Sequence, residues 1–227
     1  MRAVVFLNGF PDPPDLLRRV AGRADLVVAA DGGALHALSA GVVPDLVVGD
    51  MDSLGDEGTR LVGERGASLE RHPSRKDKMD GHLAVLSARK RGATDLDLLC
   101  ATGGRLDAVF ALPHLLLAAE RLGVRATVFA AWGEVFLVED GARAVVGGPG
   151  ESVSVFPVSG AAGGVTLDGF EYPLEDARIE AGDTLGFHNE MANGEARVAV
   201  TDGALLVIHE TEPGDARTRP GGGGEAV

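Results

Sequence analysis

The sequence predicts an α/β domain with a largely parallel sheet over residues 1–140, followed by an antiparallel β domain over 141–211. Up to about residue 140, short β-branched runs alternate with segments of helical period, the pattern of successive βα units. After Gly141 the helical period disappears, and short alternating strands are split by glycines and prolines. A 45% hydrophobic content over 227 residues supplies the apolar surface that such a core needs.

In the first part AVVFLN, LVVAA, LVVG, LDLLCA and RATVFA read as strands, β-branched and too short for helices. Between them GALHALSAG, DGHLAVLSARKRG and RLDAVFALPHLLLAAERLG place apolar residues at helical spacing. Each runs into a glycine suited to the residue after a helix C-cap, namely Gly41, Gly92 and Gly123. Pro113, inside the third pattern, predicts either a kink or the first helical turn, because proline lacks the N–H that a helix interior uses. In the second part RAVVGG, SVSVFPV, GVTLDGFEYPL, DTLGFHNEM, EARVAV and ALLVIHE are the strand candidates, and no convincing helix is seen. Asn193-Gly194 and Asp202-Gly203 predict hairpin turns, since type I′ turns need positive φ. Residues 212–227 hold too little apolar surface to offset their ordering entropy and predict a disordered tail.

Charge and composition exclude several functions. A formal net charge of −13 has the wrong sign for binding nucleic acid through its phosphates. The N-terminal apolar run is too short for a signal peptide and far too short to span a membrane. The single cysteine, Cys100, cannot form an intrachain disulfide and reads as an inert core residue. These features predict a cytoplasmic protein without a nucleic-acid or membrane partner.

Four clusters carry the chemistry. Asp31 follows LVVAA, and Gly32-Gly33 after it permit close backbone approach at a helix start, where amides can meet phosphate. The stretch GDMDS sets Asp50 and Asp52 two residues apart, on one side of an extended segment, where they repel unless a cation lies between them. SRKDKMDGH gathers Arg75, Lys76 and Lys78 with Asp77 and Asp80. ATGGRLDA offers a tight turn at Gly103-Gly104, then the fork of Arg105 and the acid of Asp107. Singly, each reads equally well as a turn or a solvated loop. Together they bring their aspartates and Arg105 to the carboxyl edge of one sheet, where open parallel sheets bind ligands. Carboxylate oxygens without cysteine suit Mg²⁺ with substrate phosphates. Neither GxxxxGK[ST] nor GxGxxG is present, so the two commonest nucleotide signatures are missing.

In this order, ADGGA, PDLVVGDMDS, KDKMD and TGGRLD, then a β segment with HNE and a closing strand, resemble the thiamine pyrophosphokinase family from Val4 to about Glu210. The resemblance implies a Rossmann-like N-terminal domain, a C-terminal β-sandwich and a homodimer with active sites at the subunit interface. It also implies transfer of pyrophosphate from Mg-ATP to the hydroxyl of thiamine, giving thiamine diphosphate and AMP. Carried over, it makes Asp50, Asp52 and Asp80 the metal-linked carboxylates. It puts Asp31, Gly32, Gly33, Lys76, Asp77, Gly104, Arg105 and Asp107 around the ATP phosphates or the substrate. Lys76 and Arg105 would offset developing charge, with Asp80 or Asp107 as candidate base. Phe187, His188, Asn189 and Glu190 would serve the thiamine side. Three positions depart from the family pattern: Met79 stands for a threonine, Ala108 for a histidine and His188 for a serine. These departures keep two alternatives open, a pyrophosphokinase for another small alcohol such as a pterin or thiamine analogue, and a nucleotide- or thiamine-binding protein without turnover.

Overall fold

The computed structural model describes residues 1–75 and 77–211. Lys76 and the tail expected over 212–227 lie outside the described residues. By contact the chain falls into two compact units, the first Met1–Ala130 and the second beginning at Ala131.

The first unit runs β1(Arg2–Phe6), α1(Pro14–Ala21), β2(Leu26–Ala30), α2(Gly33–Ser39), β3(Leu46–Gly49), α3(Gly55–Glu64), β4(Ser68–Arg71), α4(Asp80–Lys90), β5(Asp95–Leu99), α5(Leu106–Arg121) and β6(Arg125–Ala130). Its strands are ordered β6-β5-β1-β2-β3-β4, and every pair is parallel. From β1 the chain steps one way to β4 and then resumes on the other side with β5 and β6. The order therefore reverses between β1 and β5, the place where sheets of this kind open a crevice at their carboxyl ends. Interior strands such as β1 are buried almost throughout, as a sheet covered on both faces requires. The edge strand β4, SLER, is polar and largely exposed, which discourages pairing with another chain.

Gly41, Gly92 and Gly123 end α2, α4 and α5 with φ of 77°, 95° and 69°, as their spacing predicts. Pro113 lies inside α5, well past its first turn. Three elements escaped the sequence pattern. In α1 only Leu16, Leu17, Val20 and Ala21 are buried, a short stripe next to two prolines. In α3 only Gly58 and Val62 are buried, too little for a visible period, and β4 has no apolar alternation.

The second unit contains β7(Gly133–Val146), β8(Ser152–Pro157), β9(Ala162–Asp168), β10(Leu174–Ile179), β11(Asn189–Glu190) and β12(Glu195–Glu210), with no helix among the described residues. All its pairings are antiparallel. The long β12 pairs with β7 along one edge; along the other it pairs first with β9 and then with β8. Phe136, Leu167, Ile179, Leu205 and Val207 belong to the core between them.

Both expected hairpins are corrected here. Asp202-Gly203 lies within β12, where the register against β7 shifts between Val200 and Ala204. Gly203 has the positive φ that the turn would need, 97°, but spends it on a bulge whose amide donates to Asp140 Oδ1 at 3.1 Å. Asn193-Gly194 does not join paired neighbours either, because β11 before it pairs with β8 while β12 after it pairs with β7. Of DTLGFHNEM only Asn189–Glu190 is strand, since Phe187 N–H closes a turn onto the Thr184 carbonyl at 2.9 Å.

Candidate active site

A cavity of about 690 Å³ opens in the first unit at the carboxyl ends of β1, β2, β3 and β5. Leu7 to Gly9 follow β1, Asp31 follows β2, and Asp50, Asp52 and Ser53 follow β3. Cys100, Gly103 and Arg105 follow β5, while Asp77 to Gly81 lead into α4. One wall is apolar, built from Ala108, Ala111, Leu112 and Leu115 of α5.

The acids converge because Gly49 has no side chain. A Cβ there would lie 2.9 Å from the Asp31 Cβ and 3.1 Å from Asp80 Oδ1. The DMDS segment is not extended as the alternation assumed. Met51 adopts φ of 70° with its side chain buried, and the Asp52 N–H donates back to Asp50 Oδ1 at 3.2 Å. Asp50 and Asp52 thus converge through a turn rather than through strand alternation. Asp31, itself at φ of 45°, is 4% exposed. Its Oδ2 accepts from Ser53 N–H at 3.2 Å, while its Oδ1 has no hydrogen-bond partner among the described residues. Burial pushes the Asp31 carboxyl up, and Asp52 nearby adds to the rise against the opposing bonds from Ser53.

Asp31, Asp50 and Asp52 each offer an oxygen within 4.8 Å of the others. Hard oxygens at this spacing fit a small divalent cation. Asp80 flanks them at Gly49. The group differs from the metal set drawn from the sequence by including Asp31, which only the fold brings beside the DMDS turn.

At the rim, Arg105 and Asp107 form a two-pronged pair, Nε to Oδ1 at 3.0 Å and Nη2 to Oδ2 at 2.5 Å. The Arg105 hydrogen bonds hold the Asp107 carboxyl below its ordinary range, which makes it a poorer base in this arrangement. Asp77 is exposed on the lining. Gly32, Gly33 and Gly104 do not contribute to the lining, although Gly103 does. A Cβ at Gly33 would meet the Phe6 carbonyl at 2.3 Å and one at Gly32 the Asn8 side chain at 2.6 Å. The backbone of β1 and of Leu7 after it demands Gly33, whereas at Gly32 only the end of the Asn8 side chain stands in the way. The start of α2 is likewise already engaged, its early amides bonding the Asp31 and Gly32 carbonyls.

In the second unit Phe187 is exposed, its ring 6.1 Å from Phe156 and 6.0 Å from His188. His188 Nδ1 lies 3.2 Å from Ser152 Oγ. Asn189 is buried and committed internally: Oδ1 accepts from Tyr172 and Glu190 N–H at 3.1 and 2.9 Å, and Nδ2 donates to the Tyr172 carbonyl at 2.7 Å. That carboxamide is a clamp on the Tyr172 backbone. Glu190 is exposed on β11, paired in register with Ser152. Sequence reasoning missed Asn8, Ser53 and the apolar α5 wall. The serine was visible in GDMDS, whereas Asn8 gave no local signal beyond its place at a strand end.

Two family profiles match the chain: "Thiamin pyrophosphokinase, catalytic domain" over residues 17–128 and "Thiamin pyrophosphokinase, vitamin B1 binding domain" over residues 144–205. The curated thiamine pyrophosphokinase of Bacillus subtilis (strain 168) is 25% identical over 204 residues, 88% of this chain and 95% of that protein. Among solved structures, the thiamin pyrophosphokinase of Geobacillus thermodenitrificans superposes with a TM-score of 0.81 at 28% identity, covering 94% of this chain and 99% of that one. The yeast thiamin pyrophosphokinase, at 14% identity, retains a TM-score of 0.77 over 92% of this chain and 86% of its own, a likeness of fold.

Proposed function

The chain belongs to the thiamin pyrophosphokinase family, and from that premise we propose that the cavity of its first unit transfers pyrophosphate from ATP to the hydroxyl of thiamine, giving thiamine diphosphate and AMP. The observation that carries the reading is the convergence of Asp31, Asp50 and Asp52, with the buried Asp31 Oδ1 lacking a hydrogen-bond partner among the described residues. Those carboxylates would hold Mg²⁺ with Asp80 beside them. When bound, the ion supplies charge neutralisation and polarisation at phosphate oxygens. Phosphoryl chemistry of this type is mostly positioning and electrostatics. The Arg105 fork would exchange its Asp107 partner for phosphate oxygens. The acceptor hydroxyl would attack the β-phosphorus, the bond from that phosphorus to the α–β bridging oxygen would break, and AMP would leave with the electron pair. Asp80, facing the cavity, would take the hydroxyl proton. In the second unit, the exposed ring of Phe187 offers a face suited to a cationic heterocycle.

The finer parts of this reading are a Rossmann-like first domain and a β-sandwich second domain, a homodimer and a cytoplasmic setting. Among the described residues no helix is long and apolar enough to cross a membrane. Incubation with ATP, Mg²⁺ and thiamine should yield AMP in step with thiamine diphosphate, and ADP instead of AMP would exclude the reaction type. A second reading, transfer to another alcohol such as a pterin, is motivated by Met79, Ala108 and His188, which stand where the family pattern has hydrogen-bonding side chains, Met79 and Ala108 lining the cavity. A panel of acceptors, read out by AMP formation, separates the two.

A further inference from the structure

The loop from Cys100 to Gly104, between β5 and α5, is held in an uncommon conformation. Cys100 is fully buried at φ of 53°, and Gly103 and Gly104 follow at 74° and 72°. A non-glycine residue persists in the left-handed region only where its surroundings enforce it. Those surroundings are supplied by one segment, Gly9 to Asp12. Cys100 N–H donates to Asp12 Oδ2 at 2.8 Å. The Cys100 carbonyl accepts from Gly9 N–H at 2.8 Å, and the Thr102 carbonyl accepts from Phe10 N–H at 2.9 Å. The Phe10 ring fills the space that a Cβ on Gly103 would need, at 2.2 Å. Of these contacts only the one from Asp12 is made by a side-chain acceptor. Its position is preset, because Pro13 and Pro14 follow it and residues before proline are confined to extended backbone. Cys100, Ala101, Gly103 and Arg105 all line the cavity, whereas Asp12 does not.

We propose that Asp12 is a positioning residue for pyrophosphoryl transfer: by accepting the left-handed Cys100 amide, its carboxylate fixes the 100–105 loop and so aims Arg105 at the phosphates. This rests on the reading of the cavity given above. Asp12 needs no contact with ATP or thiamine. Its loss should therefore weaken the nucleotide side selectively and loosen the loop.

The test uses the full chain with Asp12→Ala and Asp12→Asn. Cys100 is the sole cysteine, so labelling of its thiol by a small maleimide reports opening of the loop without reference to activity. Asp12→Ala should speed labelling by roughly tenfold or more and raise KM for ATP by about tenfold, with KM for thiamine unchanged. Asp12→Asn keeps an acceptor oxygen and should stay within about threefold of wild type in both readouts. If Asp12→Ala does not fold, Asp12→Asn decides: wild-type-like values support the proposal, and an unchanged labelling rate with strongly impaired ATP use overturns it. Labelling of Asp12→Ala at the wild-type rate, or faster labelling with unaltered KM for ATP, also overturns it. A wild-type chain that forms no AMP removes the reading of the cavity and this proposal together, whereas wild-type turnover with an indifferent Asp12→Ala removes the proposal alone.

Discussion

Asp31 in the first unit and His209 in the second are both buried, and among the described residues each has one polar atom without a hydrogen bond, but Asp31 lies among other acids whereas His209 lies between two glutamates of opposite charge. His209 Nε2 is 2.8 Å from Glu151 Oε2, and its Nδ1 is 3.7 Å from Glu134 Oε1. Burial alone would lower the His209 pKa, but the two glutamates outweigh it and the pKa is raised. The first unit thus gathers acids of like charge beside a cavity, and the second sets a buried base between acids of opposite charge. A change in the first should cost function with little cost in fold, and a change in the second should do the reverse.

The largest expected effect is on stability. His209→Ala leaves Glu134 and Glu151 facing a lost cation and should cost about 3–5 kcal/mol near pH 6, measured by urea unfolding. A raised histidine pKa contributes stability fully present below the unfolded value near 6.5, and that stability is lost as pH rises through the folded value. The gap between wild type and variant should therefore shrink above neutrality. A gap that grew with pH would break the contrast between the units.

Next comes Asp52→Asn, expected to cut turnover by roughly 10²–10³ through weaker charge stabilisation while thermal unfolding stays near wild type. A large loss of stability with little loss of turnover would invert the comparison. The smallest effect sharpens it within the first unit. Asp97 on β5 is buried against Arg2 at 3.2 Å, and burial pushes its carboxyl up to about 6 despite that partner. The stability that its protonated form contributes is present below about pH 4 and is lost as pH rises through about 6. Asp97→Asn, which still accepts from Arg2, should match wild type at pH 4 and gain about 1–2 kcal/mol at pH 8. Equal stabilities at both pH values would show that Arg2 fully compensates the buried acid.

What was legible in the sequence was what local chemistry fixes. Gly41, Gly92 and Gly123 mark helix ends because the backbone there needs positive φ. Three of the four clusters were legible because they sit at or just after strand ends, and parallel topology sends those ends to one edge. What stayed hidden depends on partners distant in sequence. Asp202-Gly203 has the chemistry of a hairpin turn, but the pairing of β12 with β7 on both sides of it makes it a bulge. Asn189 reads as a ligand contact until its carboxamide is seen clamping Tyr172. Asp31 enters the carboxylate group only because β2 and β3 are neighbours in the sheet.

The most direct test of the first unit's clustered acids is calorimetric binding of α,β-methylene ATP, whose carbon bridge blocks departure of AMP, with and without Mg²⁺. Wild type should bind it at least about tenfold more tightly when Mg²⁺ is present, and Asp31→Asn should lose most of that gain. The same Mg²⁺ enhancement in both proteins, or none in wild type, would contradict the assignment of Asp31, Asp50 and Asp52 to a cation that brings the nucleotide phosphates into the cavity.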